Sequence, residues 1–275
     1  TTDDCSGAAK LIYVVDENMT LYSFTPNQTD ITQSTFATIG NISCPGAAAP
    51  GSWEAFSMGV DRNATAWVEL QDTFAGVPIG TGTSLFSVST ADASCTATSF
   101  TPGAQGFDEF GMGFATNGAM STDETLYIFG GASVDGTSSS SLGSLDTTSM
   151  NVTSLASNLT GSPELTGNAL GDLWGFFPDT GTKGSGTSPY IGQIDKTTGV
   201  VDPATKVTLT LPTAQASAWA FAFYGGDFFI FYATGTGNTI VYQVSNGALK
   251  ATTLQTDKLI VGAGVSTCAP VIPIS

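Results

Sequence analysis

Four carboxylates recur along this chain at a common phase: Glu54, the neighbours Asp108 and Glu109, and Glu164, with Glu54 to Glu109 and Glu109 to Glu164 both 55 residues apart. Hard oxygen ligands gathered by a structural repeat are the chemistry of an extracellular Ca²⁺ site. The plainer reading is a solvated acidic rim, because 7 basic against 23 acidic residues leave a net charge of −16. Carboxylates in pairs also hydrolyse glycosides, one as acid and the other as base or nucleophile, and Asp16, Asp61 and Glu164 are the candidates for that role. Catalysis has little else to draw on. There is no histidine, the one arginine is Arg62, and no nucleophile elbow, phosphate loop or metal-hydrolase motif occurs. The sequence therefore leads us to expect no enzyme, no catalytic residue and no cofactor other than Ca²⁺ on the acidic set.

Two other residue types carry covalent chemistry. Cys5, Cys44, Cys95 and Cys268 include no C-x-x-C pair, which disfavours zinc and favours disulfides formed in an oxidising compartment. Six of the ten asparagines stand in N-x-S/T sequons, namely Asn18, Asn27, Asn41, Asn63, Asn151 and Asn158. All precede residue 161. The chain opens on Thr1 without a charged-then-apolar leader, and is expected to be a mature secreted product. Its acidity disfavours nucleic acid and anionic membrane surfaces as partners.

With 33 Gly, 12 Pro and 11% charged residues, the composition is that of a turn-rich all-β protein with a sizeable core. Small-and-apolar strings recur at FSMGVD (56–61), FGMGFA (110–115), LTGNAL (165–170) and WAFAFY (219–224), starting 54, 55 and 54 residues apart. Each is followed by three further strand-like runs. Before the first of them, LIYVVD (11–16), TLYSFT (20–25) and FATIGNIS (36–43) form a unit that lacks its innermost strand. IVGAGV (260–265) is left over at the other end. The expected architecture is a five-bladed β-propeller, residues 1–275 as one domain, whose last strand completes the first blade and leaves no long free sheet edge. A sandwich or β-helix is the alternative. Closure brings Cys268 beside Cys5 and leaves Cys44 to pair with Cys95, one of three pairings that four cysteines allow.

The strings FSMGVDRNATAWV, LFSVSTADASC, FGMGFATNG, ELTG, QIDKTTG, WAFAFYGGDFF and IVGAGVSTCAP together resemble a family of secreted β-propeller proteins of myxobacterial-type genomes. That resemblance spans most of residues 53–270 and implies a fold but transfers no reaction. A looser similarity is to glycosylated subunits of extracellular filaments. The expected function is a secreted, N-glycosylated structural subunit of a filament or surface assembly. It would associate with its own copies through blades four and five and the tails, residues 1–9 and 269–275, with 269–275 unassigned in the ring. A glycan- or calcium-binding module is the alternative, and a propeller glycosidase ranks third.

Overall fold

The computed structural model describes residues 5–44, 53–72, 84–131, 139–178, 188–212 and 215–273. Its strands fall into five antiparallel sheets arranged as a five-bladed β-propeller. Blade one holds β1 (Ile12–Asp16), β2 (Thr20–Thr25) and β3 (Thr35–Asn41). Blade two is β4 (Trp53–Val60), β5 (Thr65–Asp72), β6 (Ser84–Ser89) and β7 (Cys95–Ala97). Blade three is β8 (Glu109–Thr116), β9 (Glu124–Gly131), β10 (Ser140–Leu145) and β11 (Val152–Leu159). Blade four is β12 (Glu164–Gly167), β13 (Leu173–Phe177), β14 (Tyr190–Ile194) and β15 (Val207–Thr208). Blade five is β16 (Ala216–Tyr224), β17 (Asp227–Thr234), β18 (Ile240–Ser245), β19 (Ala248–Leu249) and β20 (Leu254–Gln255). The final strand, β21 (Ile260–Val265), pairs with β1 in the register Ile12↔Val265 to Val15↔Gly262 and supplies the missing inner strand of blade one.

Packing between blades explains the composition of the inner strands. One hydrophobic cluster fills each interface between neighbouring blades: Phe24 with Phe229 and Phe231, Tyr13 with Met58, Trp67 with Phe110, Phe129 with Phe177, and Phe176 with Phe221 and Tyr232. The aromatic residues of blades four and five are largely consumed by this packing. Near the axis, inner strands come so close that a side chain has no room. A β-carbon on Gly111 would lie 2.0 Å from the carbonyl oxygen of Pro163, at the start of blade four's inner strand, so glycine is the residue that lets the two backbones touch.

Both expected disulfides are present. Cys5–Cys268 ties the end of β21 to the segment before β1, and Cys44–Cys95 joins blade one to blade two. Among the described residues no helix is long and apolar enough to cross a membrane. The bridges mark a fold matured under oxidising conditions.

Outer turns use the side chains that the sequence places there. Asp146 Oδ1 accepts from the amides of Thr148 and Ser149, and Asp195 Oδ1 from those of Thr197 and Thr198. These bonds favour the charged form and hold both carboxyls below the usual range. Asn246 and Gly247 take positive φ in the hairpin between β18 and β19. Residues 269–273 have a place after all. Gly225 donates to the carbonyl of Pro270 at 2.7 Å, so the tail lies along the β16–β17 turn of blade five, with Ile272 72% exposed.

Candidate functional site

Three inner strands are irregular at the same end of the channel. Pairing of β4 with β5 steps from Ala55↔Leu70 to Ser57↔Glu69, pairing of β16 with β17 from Ala216↔Thr234 to Ala218↔Ala233, and pairing of β21 with β1 from Gly262↔Val15 to Ile260↔Asp16. Each step leaves one extra residue, Phe56, Ser217 and Val261 in turn. A β-bulge re-aims the side chain it carries. All three extra residues line one cavity of about 260 Å³ at the channel mouth, together with Glu17, Glu54, Ala55, Gln71, Glu164, Ala218, Trp219 and Leu259. Residues from blades one, two, four and five thus converge on a recess below the ~300–1,000 Å³ of drug-sized sites, a space for one small polar unit.

Glu164 is the buried carboxylate of this cavity. It opens β12, is 3% exposed, and its Oε2 accepts from Ser57 Oγ at 2.9 Å. The same Ser57 Oγ accepts from the amide of Met112, so the hydroxyl is aimed by blade three at a carboxyl of blade four. Burial pushes the Glu164 carboxyl well above the usual range, and the Ser57 hydrogen bond offsets only part of that. Behind it lies Glu69, whose Oε2 accepts from the amide of Phe110 and whose Oε1 has no partner among the described residues. Burial raises the Glu69 carboxyl strongly, and the charges of Glu109, Glu164 and Asp108 raise it further. Glu54 is by contrast solvent-exposed, Glu17 is exposed beside it with its amide bonded to the carbonyl of Leu259, and among the described residues no lysine or arginine lines the recess. Such a site repels anions and suits a neutral, hydroxyl-rich ligand, with the half-buried Trp219 as an apolar platform.

These raised carboxyls set the pH dependence of stability. Protons bound more tightly in the folded than in the unfolded chain stabilise at acid pH. That stability is complete below the unfolded value near 4.5 and is lost as pH rises toward the folded values. Each group costs about 1.4 kcal/mol per pH unit across that window. Urea unfolding is expected to give a midpoint that falls from pH 4 to pH 7, and Glu69→Gln is expected to flatten the fall. A midpoint that rises over this range would mean that neither group carries a proton in the fold.

The four carboxylates of the 55-residue spacing do not form one equivalent ring. Glu109 and Glu164 are buried at the starts of β8 and β12, Asp108 is half-buried, and Glu54 is exposed on the far side of the Phe56 bulge. Among the described residues no group of three or more His, Cys, Asp or Glu is arranged to hold a metal ion. Asp16 and Asp61 do not join Glu164 either. Asp16 Oδ1 accepts from Asn18 N and Thr20 N and its Oδ2 from Tyr22 Oη; Asp61 repeats this with Asn63 N, Thr65 N and Trp67 Nε1. Both belong to a D-x-N-x-T turn that caps a hairpin. Sequence reasoning missed Glu69, Ser57, Glu17 and Gln71. The signal for Glu69 was a lone acid inside TAWVEL, a strand otherwise buried on both faces.

No protein-family model matches the sequence, and no curated protein matches it. Solved structures do. An exo-β-1,3-galactanase from Phanerochaete chrysosporium with galactose superposes with a TM-score of 0.50 at 12% identity, over 74% of this chain and 50% of that one. A single-residue variant of that enzyme with β-1,3-galactotriose reaches 0.52 at 11%, over 88% and 53%. An α-L-arabinanase from Penicillium chrysogenum gives 0.48 at 12% identity, over 86% of this chain and 70% of that one. The chain spans about half the length of the galactanase, and at these identities the likeness is one of fold. The expectation that the chain is not an enzyme is corrected here. Its structural neighbours include propeller enzymes, and inner strands that looked too apolar for catalysis present carboxylates of opposite exposure on one cavity.

Proposed function

We propose that this protein is an extracellular carbohydrate-directed propeller of glycosidase type, with its site at the channel mouth. The observation that carries the reading is the pairing, on one recess, of a buried Glu164, whose carboxyl burial raises well above the usual range, with an exposed Glu54, beside Trp219. Separating two carboxyl groups by environment is how acid and base roles are assigned at one pH. In this reading Glu164 gives its proton to the glycosidic oxygen as the bond to the anomeric carbon breaks, and Glu54 serves as base or nucleophile on the other side. Ser57 fixes the Glu164 carboxyl, and Trp219 carries the apolar face of the sugar ring. The galactanase fold likeness makes β-1,3-linked galacto-oligosaccharides the first probe. Tryptophan fluorescence of the wild-type protein is expected to change on adding β-1,3-galactotriose, and Trp219→Phe is expected to abolish the change. A response that survives in Trp219→Phe would move the sugar elsewhere.

A second reading concerns assembly, and it is compatible with the first. Five of the six sequon asparagines are exposed, Asn27 is half-buried, and all six lie on blades one to three. A glycan coat on that half would leave blades four and five, with the tail and the exposed Ile272, for contact between copies in a filament or surface layer. Membership of the secreted myxobacterial-type family belongs to this reading. Electron microscopy of the natively secreted protein is expected to show regular assemblies; monodisperse single particles at all concentrations would end it.

A further inference from the structure

Opposite the channel-mouth cavity, a groove of about 660 Å³ opens between blades two and three, a size typical of small-molecule sites. Its lining includes Asp61 and Asn63 from the β4–β5 turn, Glu124 at the start of β9, Asp146 and Asn151 from the β10–β11 turn, and Thr153. Two separate sequons, Asn63-Ala-Thr65 and Asn151-Val-Thr153, therefore meet at one groove although they lie 88 residues apart (151 minus 63). The turn at Asp61 uses only the backbone amide of Asn63, so neither turn calls for the asparagine side chain it carries.

The side chains at these two positions are available. Of the other sequons, Asn27 and Asn41 carry their side-chain bonds on Oδ1, which leaves Nδ2, the atom that is modified, unbonded, and Asn158 Nδ2 donates to Ser157 Oγ. The side-chain amides of Asn63 and Asn151 make no hydrogen bond among the described residues, only their backbone amides do, and both residues are exposed. Asn18, Asn27 and Asn41 are equally available but line neither cavity described above. The groove itself is stiff. Glu124 accepts from the Arg62 amide through Oε1 and from Thr267 Oγ1 through Oε2, which ties its floor to the ring closure beside Cys268. Each of its carboxylates already accepts bonds, from turn amides, the Trp67 indole or Thr267 Oγ1, so among the described residues no orphaned group calls for a tightly held free ligand, while spare lone pairs stay open to weak contacts. A tethered sugar needs no such group, because attachment at the rim raises its local concentration to the millimolar range, where weak hydroxyl–carboxylate and hydroxyl–threonine bonds suffice.

We propose that Asn63 and Asn151 are N-glycosylated and that the proximal sugars of these glycans lie in the groove between blades two and three. The modification joins each Asn Nδ2 to the anomeric carbon of an oligosaccharide carried on a lipid-linked diphosphate donor. The anomeric C–O bond to the donor breaks, the diphosphate leaves with its electron pair, and the amide gives up one proton.

Glycopeptide mapping of the natively secreted protein tests occupancy, and hydrogen exchange before and after enzymatic removal of N-glycans tests placement. The expected result is sugar on both asparagines and at least threefold faster exchange at residues 144–149 after removal, with the channel mouth unchanged. Thr65→Ala and Thr153→Val serve as the variants: each is expected to remove one glycan while leaving its asparagine in place. Unmodified asparagine at both positions, or identical exchange at residues 144–149 with and without sugar, overturns the proposal. Neither result touches the channel-mouth site, which lies at the other end of the same strands.

Discussion

Replacing Cys5 and Cys268 together by serine is expected to lower the unfolding free energy by about 5 kcal/mol, the largest stability effect of any small change to this protein. The bridge joins residues 263 apart in sequence and so restrains almost the whole unfolded chain, and in the chain-entropy model the gain grows with the logarithm of loop length. Closure has no other covalent support. β21 is held to β1 by its backbone ladder, to blade five by Ile260, Ala263 and Val265, and to blade two by Val261, while Thr267 and Arg62 bond next to the bridge. Without the disulfide, the last strand becomes the natural place for the ring to open, with blade one losing its inner edge first. Loss of Cys44–Cys95, 51 residues apart, is expected to cost about 1.4 kcal/mol less on the same reasoning. Urea unfolding at pH 5 checks both. A loss under about 1 kcal/mol for the Cys5/Cys268 variant would mean that packing alone closes the ring.

Glu164→Gln is expected to lower kcat for glycoside cleavage by about 10²- to 10⁴-fold, with KM little changed, since a general acid acts mainly in the transition state. Glutamine keeps the shape and a hydrogen bond to Ser57 but has no proton to give. Ser57→Ala should act differently. The Ser57 hydrogen bond lowers the Glu164 carboxyl from where burial alone would put it, so its removal raises that value and moves the alkaline limb of the pH–rate profile upward. A merely structural serine would lower activity without moving the limb.

Much of the fold was legible because a propeller repeats. The 54- and 55-residue spacing of the glycine-rich inner strands, the leftover IVGAGV and the incomplete first unit lead to one closed ring, and that ring dictates both disulfides. The site was less legible for a physical reason. Phe56, Ser217 and Val261 are ordinary strand residues in composition, and nothing in the sequence marks them as bulged; the register shifts emerge only when neighbouring strands are paired. The same shift breaks the equivalence that the regular spacing of Glu54, Glu109 and Glu164 suggests. Asp16 and Asp61 misled in the opposite direction. Offered with Glu164 as candidates for glycoside cleavage, they are instead two copies of one hairpin cap. Burial of Glu69 and Glu164 depends on which blade packs over each, a long-range property that local sequence does not carry.

The most direct test of the channel-mouth account is cleavage of β-1,3-galactotriose, followed across pH 3 to 8 for the wild-type protein, Glu164→Gln and Glu54→Gln, with Trp219 fluorescence read on the same samples. The account predicts cleavage by the wild-type protein at acid pH, its loss in both variants, and a sugar-induced fluorescence change in all three. Cleavage that persists in Glu164→Gln, or a wild-type protein that binds the sugar at every pH and cuts it at none, would contradict it.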